Sequence, residues 1–179
     1  MEPVDRIFAA TPVPIEVQMA LAETLADLDV PGRRVPPDNW HLTVRFLGDI
    51  DTVTYERFLV GLEAVSGLGS FTIELDGLGA FPKQAKATVL WAGLSRGEAE
   101  LATLNEVAEE AAQGAGLAPE ERPYRPHLTL SRIRPPRDVH HLIEEPVSVG
   151  WRCRSLVVYR SVPQKGGVKY EPLESFDLS

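Results

Sequence analysis

Two short motifs of the same composition carry residues that could act as an acid and a base. The first reads His-Leu-Thr-Val from His41, and the second reads His-Leu-Thr-Leu from His127. A histidine and a threonine two places apart, between apolar neighbours, point to one face of a β-strand, whereas the leucines point to the other. Two facing strands of this kind would bring two imidazoles and the hydroxyls of Thr43 and Thr129 together, which suffices for acid-base chemistry without a metal.

The surroundings of the two motifs are repeated as well. The motifs begin 86 positions apart, at residues 41 and 127 of a 179-residue chain. Each follows a helical pattern and a proline-bearing loop, and each precedes a further helix and strand. The repeat indicates a duplicated lobe, with the two motifs meeting at a cleft between the copies. His140 and His141 lack this context, and we expect them on the surface of a short helix.

Strands and helices alternate around the motifs. Helical spacing of apolar residues and helix stop signals predict helices over 14–28, from 51 or 52 to 65, over 98–113 and over 139–143. Alternating or continuous apolar runs predict strands at 6–10, 41–47, 71–75, 87–94, 147–152, 155–160 and 170–176, besides the strand of the second motif. The chain therefore reads as a mixed α and β domain.

Composition narrows the class of protein. The hydrophobic content of 44% is enough for a core in one domain, and no apolar run approaches the roughly 20 residues of a membrane helix. The first residues lack the pattern of a signal peptide, so we expect a cytoplasmic protein. Cys153 is the only cysteine, which excludes an internal disulfide and a thiolate metal cluster.

The net charge of −8 argues against a long binding surface for nucleic acid. The charges are unevenly distributed, because many acidic residues fall in helical patterns and basic residues fall in loops rich in proline or glycine. These loops are either simply solvated or form a positive rim around a site for a compact anion. The loop residues are Arg33, Arg34, Lys83, Lys86, Arg132, Arg134, Arg137, Lys165 and Lys169.

Two arginines compete for the role of binding that anion. Strict strand alternation places Arg45 on the face of His41 and predicts that Phe46 lies in the core. Alternation removes Arg132 from the face of His127, unless its strand bends or ends near residue 131. Both arginines therefore remain candidates at this point.

The residues around the motifs resemble those of the 2H phosphoesterase superfamily, and within it the RNA 2′,3′-cyclic phosphodiesterases, also called 2′-5′ RNA ligases. The similarity covers nearly the whole chain and includes both His-x-Thr motifs, Arg6-Ile7-Phe8, Phe46-Leu47-Gly48, Arg125-Pro126 and Arg132. It implies an α+β, bilobal, duplicated fold of two antiparallel β-sheets with flanking helices around a V-shaped central cleft. Residues 1–179 would then be a single domain of two pseudo-symmetric, closely packed lobes.

The resemblance also implies a reaction. The enzyme would hydrolyse a terminal 2′,3′-cyclic phosphate of RNA to a 2′-phosphate without metal or cofactor, with 2′-5′ ligation as a minor activity. His127 would take a proton from water and His41 would give one to O3′, with Thr43 and Thr129 as donors to the phosphate oxygens. The resemblance favours Arg132 over Arg45 for binding the phosphate. We expect a monomer that binds an RNA end or oligonucleotide and needs neither a membrane nor a protein partner.

Three alternatives remain open. A related 2H phosphodiesterase would act on a small cyclic nucleotide, and a non-catalytic module would only bind RNA ends. A metal enzyme would use His41 and His127 as ligands, although neither motif supplies a nearby carboxylate or cysteine.

Overall fold

Nine strands and four α-helices make up the part of the chain that the structure, a computed structural model, describes, residues 3–179. The strands are β1 (Pro3–Pro12), β2 (Arg33–Arg34), β3 (His41–Asp51), β4 (Phe71–Phe81), β5 (Ala87–Arg96), β6 (Leu128–Arg137), β7 (Ser148–Cys153), β8 (Ser155–Gln164) and β9 (Gly167–Asp177). The helices are α1 (Ile15–Ala26), α2 (Thr52–Leu62), α3 (Glu98–Gly114) and α4 (His140–Ile143).

The strands form two antiparallel halves that meet at one residue pair. The order across the sheet is β7-β4-β5-β6-β3-β1-β8-β9, and β2 adds to β6. Between β3 and β6 the pairing consists of Leu42 opposite Leu128. The predicted α+β fold with two antiparallel sheets is confirmed. The two sheets are not built from the first and second halves of the sequence. Strands β4 to β7 form one sheet, and strands from both ends of the chain form the other.

Apolar spacing explains the helices that cover the sheets. In α1 the buried side chains Val17, Leu21 and Leu25 recur every four residues, and the helix packs near β7. In α3 the buried face includes Leu101 and Leu104, and this helix packs against α2 and β3. Each helix therefore presents one apolar face to the core.

The ends of α2 follow from local chemistry. The Asp51 carboxylate accepts a hydrogen bond from the backbone N–H of Thr54 at 2.7 Å, so Asp51 caps the helix. The α-helix ends at Leu62 and continues as a 3₁₀ turn over Glu63–Gly67, whereas the sequence pattern predicts one helix to residue 65. The buried Leu62 and Val65 give both segments a continuous apolar pattern, which explains the difference.

Three smaller findings complete the fold. Strand β2 pairs Arg33 with Arg132 and Arg34 with Ser131, and the sequence pattern does not predict it, because two exposed arginines carry no strand signal. Cys153 is buried in the core. No helix in residues 3–179 is both long and apolar enough to cross a bilayer.

Candidate active site

The two His-x-Thr motifs lie side by side where the sheets meet. Because Leu42 pairs with Leu128 in antiparallel register, position 41 faces position 129 and position 43 faces position 127. Each histidine therefore stands across from the threonine of the other motif. The leucines are fully buried behind this polar patch, and both histidines and both threonines line one cavity of about 620 Å³.

The cavity wall carries positive charge. The lining residues that can carry a positive charge are three arginines and the two histidines, and no aspartate or glutamate lines it. The arginines are Arg6, Arg122 and Arg132, and the remaining wall includes aromatic side chains from both sheets. A cavity of this size lined by cations and aromatic rings suits an anion with an aromatic body, such as a nucleotide.

His41 is held by hydrogen bonds at both ring nitrogens. Its Nδ1 lies 2.8 Å from the Asn39 carbonyl oxygen, which only accepts, so Nδ1 carries the proton. In that neutral tautomer Nε2 accepts from the Thr43 hydroxyl at 2.9 Å. The ring packs against both Phe8 and Tyr170, with centroid distances of 5.0 Å to each. Two hydrogen bonds and two ring contacts therefore fix the orientation of the His41 imidazole.

Burial sets the protonation of His41. Loss of hydration lowers its pKa from 6.5 to about 4, and the positive charges of Arg132 and His127 act in the same direction. The Asn39 carbonyl opposes them but does not cancel them. At neutral pH His41 is therefore an uncharged imidazole.

His127 has a different hydrogen-bond pattern. Its Nδ1 donates to the Arg125 carbonyl oxygen at 2.7 Å, and within residues 3–179 no protein group hydrogen-bonds Nε2. Phe81 packs edge-on against the ring at a centroid distance of 5.2 Å. Burial and the charge of Arg132 lower its pKa, so Nε2 of His127 carries a lone pair at neutral pH.

The wall behind His127 depends on a glycine. The ring of Trp91 lies against Gly79 on the neighbouring strand, where an added Cβ would come within 2.2 Å of the indole. Trp91 in turn packs 6.2 Å from the His127 ring and 5.1 Å from Phe81. A larger residue at position 79 would push the indole toward the imidazole.

A β-bulge decides which arginine reaches the cavity. In β3 the partners of Ala9 and Ala10 are Arg45 and Thr43, so Val44 is an extra residue and the alternation reverses after it. Arg45 is consequently 8% exposed and does not line the cavity that His41 lines. Its guanidinium donates to Glu109 at 2.5 Å, to the Ala118 carbonyl at 2.9 Å and to the Phe46 carbonyl. Because the Arg45 guanidinium is already bound in this way, we expect Arg132 rather than Arg45 to bind the anion.

The same bulge occurs in β6. Leu90 and Trp91 pair with Ser131 and Thr129, which leaves Leu130 as the extra residue and turns Arg132 into the cavity. Arg132 is exposed, and within the described chain its guanidinium has no hydrogen-bonded or ion-paired partner. The bend anticipated near residue 131 is thus present. Arg132 has the placement expected of an anion-binding residue.

The two bulges deliver different side chains. A spacing of 86 positions relates Arg45 to Ser131 and Phe46 to Arg132, as it relates the two histidines. Phe46 is 57% exposed and lines the cavity, contrary to the prediction that it lies in the core, because the bulge moves it to the other face. One strand therefore offers an aromatic ring where the other offers a cation.

Beyond the single pairing of β3 and β6, donors from other parts of the chain hydrogen-bond the backbone carbonyls of the two strands. The Tyr124 hydroxyl donates to the Thr43 carbonyl at 2.8 Å, and the Asn105 amide donates to the Val44 carbonyl at 2.9 Å. On the other strand the Val35 N–H donates to the Leu130 carbonyl at 2.8 Å. These bonds satisfy backbone groups that a continuous sheet would pair, so the sheets can separate and form the cleft.

Several expectations about the surroundings need revision. Among the basic loop residues of the predicted rim, only Arg132 lines the cavity, and Arg34 instead donates to the carbonyls of Leu25 and Leu28 near the end of α1. Arg122 enters the wall unpredicted, because exposed loop arginines have no distinguishing pattern. His140 and His141 are exposed and do not line the cavity, as expected.

The site does not include a recognisable metal centre. Within residues 3–179, no three side chains of histidine, cysteine, aspartate or glutamate cluster as metal ligands would.

Two antiparallel sheets, with a histidine and a threonine from each at their junction, define a 2H phosphoesterase. The family model of LigT-like phosphoesterases matches residues 12–91 and 95–170, one segment for each motif. The chain belongs to this family of phosphoester hydrolases.

Individual relatives agree with this assignment. A protein of Aeropyrum pernix named RNA 2′,3′-cyclic phosphodiesterase is 32% identical over 124 residues, covering 69% of this chain and 70% of that protein. One of the same name from Methanothermobacter thermautotrophicus is 30% identical over 165 residues, covering 88% and 89%. The crystal structure of Escherichia coli LigT complexed with 3′-AMP is similar with a TM-score of 0.85, at 26% identity and 99% coverage of both chains.

Proposed function

We propose that this protein is an RNA 2′,3′-cyclic phosphodiesterase that opens a terminal cyclic phosphate to a 2′-phosphate. The observation that carries the proposal is the pair of imidazoles beside Arg132, each with Nδ1 bound to a backbone carbonyl and therefore with Nε2 available for proton transfer. The names of the relatives and the positive, aromatic wall support an RNA end as substrate.

His127 acts as the general base in this proposal. Its Nε2 is unprotonated at neutral pH and is not occupied by a protein hydrogen bond in the described chain. It takes a proton from water while the water oxygen forms a bond to phosphorus.

His41 acts as the general acid, and it donates its proton to O3′ as the P–O3′ bond breaks. Its low pKa in the free enzyme opposes this role, and bound substrate reverses the effect, because a phosphodiester anion favours the imidazolium and raises the pKa. The Thr43 hydroxyl that bonds Nε2 can then turn to a phosphate oxygen. The O2′ ester is kept, so the product is a 2′-phosphate.

Thr43, Thr129 and Arg132 stabilise the charge that grows on the non-bridging oxygens. Arginine is suited to this task because its guanidinium donates two parallel hydrogen bonds to a phosphate. The two hydroxyls approach from the two sheets, so they would hold the phosphorus between the imidazoles. Strain in the five-membered ring lowers the barrier, and these groups suffice without a cofactor.

Several further properties belong to the same proposal. An RNA 5′-hydroxyl could replace water and form a 2′-5′ bond, which we expect to be minor because water is far more abundant. We also propose one domain of two pseudo-symmetric lobes, acting as a monomer in the cytoplasm, since one chain already supplies both motifs.

The test is hydrolysis of an oligonucleotide ending in a 2′,3′-cyclic phosphate, measured in excess chelator. We expect a 2′-phosphate product, and we expect His41→Ala and His127→Ala each to lower kcat by about 10²–10⁴. His140→Ala, which changes an exposed imidazole paired with Asp138, is the matched control and should keep the wild-type rate. A 3′-phosphate product, or full activity without either motif histidine, would refute the proposal.

A further inference from the structure

Arg6 has an unusual backbone. It is the one non-glycine residue within 3–179 that has a positive φ, at 54°, and its N–H donates to the Asp49 carboxylate at 2.8 Å. Glycine adopts this left-handed conformation with less strain than an arginine. The hydrogen bond involves only the backbone of residue 6, so the local fold does not explain why a long cationic side chain stands there.

The Arg6 side chain faces the active-site cavity. It is exposed, lines the cavity wall, and within the described chain its guanidinium has no hydrogen-bonded or ion-paired partner. The other arginine not assigned to the phosphate, Arg122, differs because its guanidinium pairs with Glu120 at 3.3 Å. Arg6 is thus an available cation in a wall without carboxylates.

The position of Arg6 along β1 separates it from the reacting phosphate. Ala10 lies opposite Thr43 and Phe8 opposite Phe46, so the strand leads from the motif toward Arg6. At about 3.3 Å per residue in a regular strand, the four steps from Ala10 to Arg6 span at most roughly 13 Å, because β1 is irregular along this stretch. An arginine side chain covers only part of this distance, so its guanidinium would meet an anion beside the reacting phosphate more readily than the oxygens between the two motifs.

We propose that Arg6 binds the phosphate that joins the last two nucleotides of the RNA, so that the enzyme prefers an oligonucleotide end to a mononucleoside cyclic phosphate. This inference rests on the proposed function, in which His41 protonates O3′ and the ribose therefore lies on the side of β3. Strand β1 is the neighbour of β3 on that side, so the 5′ oxygen of the same ribose leads toward Arg6. RNA carries one negative charge at every such link, which a free guanidinium recognises.

The experiment compares two substrates, adenosine 2′,3′-cyclic phosphate and a diadenosine ending in a 2′,3′-cyclic phosphate. The variant is Arg6→Gly, which suits the positive φ and should keep or raise the melting temperature. We expect it to lower the ratio of kcat/KM for the dinucleotide over the mononucleotide about tenfold, the size of one charge-assisted hydrogen bond. Arg154→Ala, at an exposed residue outside the cavity wall, is the control and should leave the ratio unchanged.

A neutral link in the substrate isolates the charge. In a diadenosine with a methylphosphonate in place of the joining phosphate, wild type and Arg6→Gly should have the same kcat/KM, because the guanidinium then has no anion to bind. The salt dependence of KM for the normal dinucleotide should also weaken in the variant, by a slope of about 0.7 for one lost phosphate contact.

The outcomes separate this inference from the function on which it rests. An equal loss on both substrates would place Arg6 at the reacting phosphate, and an unchanged ratio would remove it from substrate binding, so either result overturns the inference alone. Wild-type protein that opens neither cyclic phosphate would refute the proposed function, and this inference with it.

Discussion

Arg45 and Arg132 should have opposite roles, and replacing each by methionine tests this. Arg45 makes three hydrogen bonds in the interior, whereas Arg132 is an exposed side chain in the cavity wall. Removing one partner of a buried ion pair costs about 3–5 kcal/mol, because the other charge stays buried. The Glu109 side chain is 21% exposed, so water can solvate part of it, and the lower end of that range, about 3 kcal/mol, applies to Arg45→Met.

The expected melting temperatures follow from this figure. For a chain of this length, each kcal/mol shifts the melting temperature by about 2–4 °C, so Arg45→Met should melt about 6–12 °C below wild type. Arg132→Met should change the free energy of unfolding by no more than about 0.5 kcal/mol, since surface substitutions without partners have little effect. The assay is thermal unfolding at pH 7, with urea midpoints as a second measure.

In enzyme kinetics the two variants should behave in the opposite way, with the larger effect from Arg132→Met. Arg132→Met should lower kcat/KM for the cyclic-phosphate oligonucleotide by at least tenfold through lost transition-state stabilisation, and Arg45→Met should keep KM when assayed well below its melting temperature. If Arg45→Met melted with wild type and raised KM, the assignment of the two arginines would be refuted.

Three more predictions concern pH and the gap between the sheets. Because burial lowers the pKa of both His41 and His127, the pH optimum of kcat/KM should lie below pH 6.5. In a pH-rate profile Arg132→Met should move this optimum upward, since the positive charge of Arg132 lowers the pKa of both histidines. The folded-state pKa of His41 is below its unfolded value, so the contribution of His41 to stability should be constant above about pH 6.5 and fall toward pH 4. In urea titrations His41→Gln should reduce this loss of stability. Tyr124→Phe leaves the Thr43 carbonyl without its 2.8 Å donor and should cost about 1–3 kcal/mol; an unchanged urea midpoint would contradict the role given to this hydroxyl.

The sequence was sufficient to predict the pairing of the two motifs. Their common spacing and composition indicate two strands with one polar face each, and the structure places His41 and His127 at one cavity. Helix positions were also predictable within a few residues, because apolar side chains such as Leu21 and Leu101 recur at helical spacing. These features depend on local periodicity, which a sequence displays directly.

Residues beyond the motifs were not predictable by the same reasoning. A single extra residue in each strand, Val44 and Leu130, reverses the alternation and exchanges the faces of Phe46 and Arg132 relative to a regular strand. Bulges depend on how a strand pairs with a distant neighbour, and the local pattern of apolar residues does not register them. The place of Arg6 in the cavity wall was likewise not predictable, and its residue type does not suggest a positive φ.

Because β3 places Phe46 in the cavity where β6 places Arg132, the two sides of the cleft differ chemically. If both bulges presented the same side chain, the junction around Leu42 and Leu128 would be nearly two-fold symmetric, and a phosphate could enter with its ester oxygens toward either histidine. In the proposed reaction, an arginine on one strand and an aromatic ring on the other would favour one orientation of the RNA end, with the phosphate toward Arg132 and the base toward Phe46.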